Sequence, residues 1–439
     1  MRAAAHNPQI TKLLDLVSPR TGIIRSLNRV ARSIEEPSPP ILYHALLSNF
    51  DFRKAESHAR STAGKGMTDD DAIGGAIGEA IERYCATHPV LSSIRRARLA
   101  ELDLPAITPQ ECVLYSAAQY ARSGFPHAEW SDDSEIGWAR VKELPSEHDI
   151  FAPAFLIYSN YFGPNGEDGY CPPTSNGLAA GPDLQSAILS GLCELAERDA
   201  FLAHWMNRLP APEVNCEDGV ARDICAHYRR FGVETRVFNL TADLPMYVMM
   251  AVSLSPADRG PSALVALGCH LDPNMAVRKA LFEICQVRPG ETRRFFEDGP
   301  HKQLHGYSDI KTLQDHSGYF MLPERRHEFA FLLESGRRQT LSDLPSHASG
   351  NTARDVETAV EGLVRAGCRV AYADLTTPDV QPFGIRVVRT LATGLQPIHF
   401  GCGEERLGGR RLFELPLRLG YTEHPTTESE LNPCPHPLA

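Results

Sequence analysis

The sequence predicts an α/β protein, with mixed sheets and flanking helices, on three observations. Apolar residues recur at helical spacing in two long stretches, Ala72, Ile73, Ala76, Ile77, Ala80, Ile81 and Tyr84, and then Ile188, Leu189, Leu192, Leu195 and Ala196. Beyond Pro210 a helical run, Val220 to Phe231, is followed by three strand-like runs, Thr235 to Leu240, Met246 to Leu254 and Ala263 to Leu271. The closing section alternates again: a helix from Ala353 to Arg365 stopped by Gly367, then strands from Arg369 to Asp374 and Ile385 to Leu391.

In chain order, Ile10 to Val17 reads as a short helix, Ser18-Pro19-Arg20-Thr21-Gly22 as a turn, and Glu35 to Pro40 as a proline-rich break. Gly64-Lys65-Gly66 reads as a small-residue loop ahead of the first long helix. Its amides could approach an anion, although the spacing is not that of a Walker loop. Asp103 to Phe151 is poorly periodic, with Trp130 and Trp138 as packing residues. Pro172 to Gly181 is a turn-forming loop feeding the second long helix, which ends near Trp205. A further helix spans Asn274 to Gln286 and sets Glu283 three residues before Gln286. Residues 291–339 are charged and histidine-rich, compatible with a lid or with a partner surface. The last nine residues place Pro433, Pro435 and Pro437 at alternate positions, which predicts an extended, stiff tail of the kind found as a disordered end or a groove ligand.

Both long helices carry the same word, E-x-x-E-R: Glu79, Glu82 and Arg83 in one, Glu194, Glu197 and Arg198 in the other. At about 100° per residue the two carboxylates and the guanidinium share one stripe beside the apolar face. Taken singly the word is ordinary helix-surface chemistry, since Glu79 with Arg83 and Glu194 with Arg198 are favourable i,i+4 pairs. Taken twice it gathers four hard oxygen ligands at core margins, a set suited to divalent cations that carry phosphates. A nucleotide clamp is the functional reading.

Composition narrows the alternatives. The chain has 439 residues and a 42% apolar fraction, enough for one large domain or two closely joined ones. Net charge is −11, from 44 basic and 55 acidic residues, which argues against a nucleic-acid surface; Arg95-Arg96 and Arg410-Arg411 are too short to reverse that. No stretch is long and apolar enough for a signal peptide or a membrane span, so no membrane contact and a cytoplasmic location are expected. The 11 cysteines lack C-x-x-C spacing, and Cys193 and Cys285 read as core thiols.

With these residues in hand, the chain resembles the YcaO family, and within it the azoline-forming cyclodehydratases of thiazole/oxazole-modified peptide synthetases. The resemblance rests on Leu16 to Ile24, Gly64 to Gly66, Glu79 to Arg83, Ser175 to Gly181, Glu194 to Asp199, and Ala280 to Glu283 with Gln286. It continues through Asp374 to Asp379, Val387 to Arg389 and the proline-spaced end. It implies a YcaO-type ATP-binding fold, with residues 1–56 packed on a catalytic domain at 57–424 and a tail at 425–439. It further implies Glu79, Glu82, Glu194, Glu197 and Glu283 as Mg²⁺ ligands. An ATP site would use these together with Lys65, Arg83, Arg198, Lys279 and Gln286. Pro433, Pro435 and Pro437 would deliver the Ala439 carboxylate as a catalytic base. The chain departs from the family pattern at Gly75, Ala179, Pro182, Ser186 and Lys279, where Arg278 is adjacent.

The activity so implied is ATP-dependent closure of Cys, Ser or Thr of a ribosomal precursor peptide to thiazoline or oxazoline. Thioamide formation and a non-catalytic scaffold stand as the alternatives. The stretch ahead of Ser57 is too short for the leader-binding domain. The implied partners are therefore a separate leader-binding subunit resembling ubiquitin-activating enzymes, the precursor peptide, and an FMN-dependent azoline dehydrogenase.

Overall fold

The computed structural model describes residues 6–48, 61–159, 161, 167–216, 219–298 and 304–438. The chain begins with α1 (Pro8–Leu13), capped by the Asn7 side chain, and a 3-10 turn at Leu14–Leu16 ends the expected opening helix before Val17. Strands β1 (Ile24–Arg29), β2 (Ile41–Leu47) and β3 (Ser61–Gly66) form an antiparallel sheet with β3 at its edge. The Gly-Lys-Gly stretch is therefore strand, not loop. The glycines serve close packing: a Cβ on Gly64 would lie 2.0 Å from the Ala72 carbonyl oxygen, and one on Gly66 2.3 Å from Asp71 Cβ. The neighbour that presses on them is α2 (Asp69–Ala86), started by a reciprocal capping box between Thr68 and Asp71.

After β4 (Arg95–Ala97) and the one-turn α3 (Ala117–Tyr120), the poorly periodic region forms the hairpin β5 (Ile136–Leu144) and β6 (His148–Pro153). It hides its period because Ile136 to Ala139 are buried on both faces. Trp138 is wholly buried and donates its indole N–H to the Ala97 carbonyl; Trp130 is buried as well. The short α4 (Ala154–Ile157) follows, and the expected loop before the second long helix ends as an edge strand, β7 (Leu178–Gly181). The second long helix is α5 (Leu184–Met206), capped by Asp183.

The later elements are β8 (Glu213–Val214), α6 (Gly219–Arg230), β9 (Glu234–Asn239), β10 (Tyr247–Leu254), β11 (Ala263–His270) and α7 (Pro273–Asp298). The predicted Asn274–Gln286 helix thus runs on through Pro289. Arg288, buried behind it, holds that stretch to the sheet through Ser253, Ser255 and the Arg259 carbonyl. Then come α8 (Leu313–Tyr319), α9 (Ala330–Leu333), β12 (Arg338–Gln339), α10 (Thr352–Arg365), β13 (Val370–Asp374), β14 (Arg386–Ala392) and α11 (Arg411–Arg418).

Two larger sheets result, ordered β11-β10-β9-β8-β12 and β4-β5-β13-β14-β7, with β6 paired to β5. Helix α2 packs on β3, β2 and β7; α5 packs on β14, β7 and β11; α7 packs on β11 and β10 and reaches β3. Cys193 and Cys285 lie buried in this packing. The three helices therefore meet where three edge strands, β3, β7 and β11, end their sheets.

Candidate active site

An edge strand leaves backbone groups without a ladder partner, and side chains from the motif helices satisfy several of them here. Glu79 accepts the Ala63 N–H of β3 at 3.0 Å, and Glu82 accepts the Ala180 N–H of β7 at 2.6 Å. Lys279 of α7 donates to the Cys269 carbonyl of β11 at 3.1 Å. Those contacts fasten α2 to the edges of two sheets and α7 to the edge of the third.

The stripes converge. Lys65 of β3 pairs with Glu283 of α7 at 2.5 Å, so the edge strand under the first motif is tied to the third helix. Glu79 pairs with Arg83 at 2.5 Å, and Arg83 also donates to the Ser61 carbonyl at 2.9 Å. Arg198 lies 3.3 Å from Glu197 and 3.8 Å from Glu194, and feels Glu283 as well. Glu82 is repelled by Glu194 of the other motif helix, and Glu197 by Glu283 of α7. All five predicted glutamates therefore share one electrostatic neighbourhood.

Burial and mutual repulsion set their protonation. Burial pushes Glu82 up to about 8, with Glu79 and Glu194 adding to the rise, and pushes Glu194 up to about 7 against the pull of Arg198. Glu197 is raised in the same way. Glu283 goes the other direction: burial acts against it, but Lys65, Arg198 and Lys279 together hold it below the usual carboxylate range.

One central residue was not among the candidates. Arg389 of β14 is 1% exposed, donates to the carbonyls of Ile157 and Asn176, and faces Glu194 and Glu82. Burial lowers its pKa to about 10 despite those two carboxylates. The signal for it in the sequence was an arginine inside the apolar run Val387-Val388-Arg389-Thr390-Leu391. Asp199, just past the second motif, is 1% exposed and has a structural task instead. It pairs with Arg411 at 2.8 Å and accepts the Gln396 N–H.

Among the described residues no three His, Cys, Asp or Glu side chains form a ready metal cage. That pattern still suits Mg²⁺, which is commonly held by one or two carboxylates while phosphates and water fill the other positions. Two observations favour the fit. Glu82, Glu194 and Glu197 hold protons more tightly than ordinary carboxylates do, first because they are buried and then because neighbouring carboxylates repel them, and a bound cation would offset both effects. Gln286 Oε1 is buried without a hydrogen-bond partner, one turn past Glu283. The departures leave this arrangement standing: Gly75 lies against Gly64, and Ala179 and Ser186 belong to the β7 strand and the α5 cap.

The tail does not hang free. Pro433 is exposed, but Pro435 and Pro437 are buried with Asn432, Cys434, His436 and Leu438, so neither a disordered end nor a loose ligand describes it. Alternate prolines carry no N–H, so burying the segment strands fewer backbone donors. The expected role of Ala439 falls outside the described residues.

Known proteins fit this picture. The family described as YcaO cyclodehydratase, ATP- and Mg²⁺-binding, matches residues 63–396. An uncharacterized protein of Methanothermobacter thermautotrophicus is 28% identical over 356 residues, covering 79% of this chain and 84% of its own. A solved heterocyclase, in complex with substrate and cofactor, superposes with a TM-score of 0.83 at 28% identity, over 98% of this chain and 57% of that one. This chain thus spans little more than half of that heterocyclase. YcaO from Methanopyrus kandleri, bound with AMPPCP and Mg²⁺, shares the fold at a TM-score of 0.63 and 21% identity, over 85% of this chain and 86% of that one. The chain belongs to the YcaO family, with the mixed α/β fold of that family and with ATP and Mg²⁺ as its cofactors.

Proposed function

We propose that this chain is the ATP-dependent cyclodehydratase subunit of a peptide synthetase, closing Cys, Ser or Thr of a ribosomal precursor peptide to thiazoline or oxazoline. The observation that carries the reading is the convergence of Glu82 with Glu194, and of Glu197 with Glu283, around Arg198 and Lys65.

Bound Mg-ATP would supply a phosphoryl group for an oxygen that is otherwise a poor leaving group. The substrate thiol or hydroxyl adds to the preceding peptide carbonyl, and the resulting oxyanion is phosphorylated. Loss of the amide proton then expels phosphate as the C=N bond forms, so that one water is removed per ring and ATP becomes ADP and phosphate. The residues do the holding. Glu79, Glu82, Glu194, Glu197 and Glu283 are the carboxylates available to the metal, while Lys65, Arg83, Arg198 and Lys279 offset phosphate charge near Gln286. Aimed before the reaction, such groups stabilise developing charge without reorganising. Residues Pro433 to Pro437 bring the tail against α5, where it can order the catalytic end of the cleft. A separate leader-binding subunit would present the precursor, and an FMN-dependent dehydrogenase would oxidise the product rings.

Mass spectrometry of the precursor, after incubation with this chain, the leader-binding subunit and Mg-ATP, tests the proposal. Loss of one water per ring supports it. Exchange of oxygen for sulfur would instead indicate thioamide formation. An unchanged peptide, or modification unaffected by Glu79→Gln and Glu194→Gln, would leave only a scaffold.

A further inference from the structure

The buried tail is fastened at two places. Near its start Asn432 donates its backbone N–H to the Met206 carbonyl at 2.6 Å and its side chain to the Trp205 carbonyl at 3.1 Å. Trp205 Nε1 donates to the Cys434 carbonyl at 2.9 Å. Those partners are the last turn of α5, the helix of Glu194, Glu197 and Arg198. Further on, His436 is 1% exposed and lies flat on His316 of α8, with ring centroids 4.1 Å apart and planes 17° apart. His399 meets it edge-on at 5.0 Å, and Phe201, three residues past Arg198, at 5.8 Å.

Hydrogen bonds fix the protons. His436 Nε2 faces the His399 carbonyl at 2.6 Å, and His316 Nδ1 faces the His436 carbonyl at 2.7 Å. A carbonyl only accepts, so both nitrogens carry hydrogen. His316 Nε2 accepts the Gly401 N–H at 3.0 Å, which makes that ring neutral. Nδ1 of His436 and Nδ1 of His399 are buried without a partner.

We propose that His436 is a positioning residue, a neutral-only latch: stacked between His316, His399 and Phe201 it clamps the proline tail beside Arg198, and acquiring a proton releases the tail. A proton on His436 Nδ1 would be a buried charge with nothing to receive it. The charged and titratable groups facing the stack are Arg198 from α5, His316 and its neighbour Asp315 from α8, and His399 with Arg406 from the 399–406 segment. Asp315 is the one carboxylate among them, and it acts on His316. Burial holds His316 down to about 4, His399 to about 3 and His436 well below the free value. A released histidine takes its proton near 6.5, so docking is complete above that pH and is lost as the pH falls. The docking equilibrium constant, and with it the protection factor of the tail, drops about tenfold per unit for each histidine that gains a proton on release. Only the catalytic consequence rests on the proposed function; the docking equilibrium does not.

Hydrogen exchange followed on the full chain from about pH 8 to about 5.5, corrected for intrinsic rates, reads the latch directly. Wild-type peptides covering 431–438 should lose protection about tenfold or more per unit below 6.5, while β10 stays protected. His436→Phe keeps a flat ring and cannot take a proton, so its tail should lose less protection per pH unit in acid than the wild type does. His436→Ala should be unprotected even at pH 8. In turnover assays His436→Ala should lower kcat while leaving KM for ATP in place, and His436→Phe should flatten the acid limb of the profile. Tail protection in the wild type that ignores pH, or a His436→Phe tail as acid-labile as wild type, overturns the latch. A precursor left unmodified by a wild-type chain whose tail behaves as described would overturn the proposed function instead.

Discussion

The two E-x-x-E-R helices use one word in different ways. In α2 the arginine donates to the Ser61 carbonyl at 2.9 Å and pairs with Glu79 at 2.5 Å, while both glutamates also accept amides of edge strands. In α5 the arginine stays among acids, at 3.3 Å from Glu197 and 3.8 Å from Glu194, with Glu283 also in its field. The first motif is a clasp that joins sheets, and the second is a charge hub with looser contacts. A group already committed to short hydrogen bonds has less to offer a ligand than one held by distant charge.

That contrast is open to attack first on catalysis. Glu197→Gln in α5 should cut precursor modification about a hundredfold or more, the scale seen when one preorganised electrostatic group is lost. Because burial already disfavours the charge on Glu197, the same variant should melt no lower than wild type in a thermal scan. A large loss of melting temperature would mean that Glu197 is a structural clasp too, and the distinction between the helices would fail. The arginines give the next test. Arg198→Met leaves three enclosed carboxylates facing one another and should cost about 2 kcal/mol in urea unfolding, short of the full penalty for a dry ion pair. Arg83→Met breaks a pair about one-third exposed, so screening limits its cost to about 1 kcal/mol or less. Equal costs would erase the asymmetry.

Proton release is a smaller and sharper probe. With folded values of about 8 for Glu82 and about 7 for Glu194, both above the ordinary 4.5, these carboxyls retain protons that a bound cation must expel. Calorimetry in buffers of different ionisation enthalpy should therefore find about one proton released per Mg-ATP near pH 7.5. Apparent affinity should climb as pH rises through 7 to 8 and then level off. The same shifts make these carboxyls erode the stability of the metal-free chain between about pH 4.5 and 8, since over that span the folded state binds the extra protons. Glu82→Gln should remove most of the release, and a release unaffected by that change would show that the protons come from elsewhere.

What could be read from the sequence followed from locally periodic signals. The apolar stripes of α2 and α5 and their acidic margins depend on residues a turn apart, so they could be recognised without knowing the neighbours. The edge-strand character of Lys65 and Ala180 could not, because glycine- and alanine-rich strands look like loops until a helix is seen pressing on them. Arg389 stayed hidden for a related reason: a buried guanidinium is tolerable only with the carbonyls of Ile157 and Asn176 around it, and these lie more than 200 positions away in the chain. The tail misled in the opposite direction. Alternate prolines favour an extended chain, but whether that chain is free or buried depends on Trp205 and His316, which the tail's own composition does not encode.

The smallest expected effect concerns the glycine at position 75, where the resemblance to the family would place a serine. A Cβ there would meet Gly64 Cα at 3.3 Å, tighter than ordinary contact but within a few tenths of an ångström of relief. Against that strain, replacing a mid-helix glycine gains about 0.5 kcal/mol or slightly more in backbone entropy. Gly75→Ser should therefore change stability by less than about 1 kcal/mol in either direction. If the clasp in α2 is structural, Mg-ATP affinity by calorimetry should also stay within about threefold of wild type, a change worth under 1 kcal/mol. A tenfold or greater gain would mean that a side chain at this position reaches the nucleotide. Position 75 would then join Glu79 and Glu82 as a part of α2 that reaches the ligand, and the contrast between a tightly fastened first motif and a looser second one would weaken.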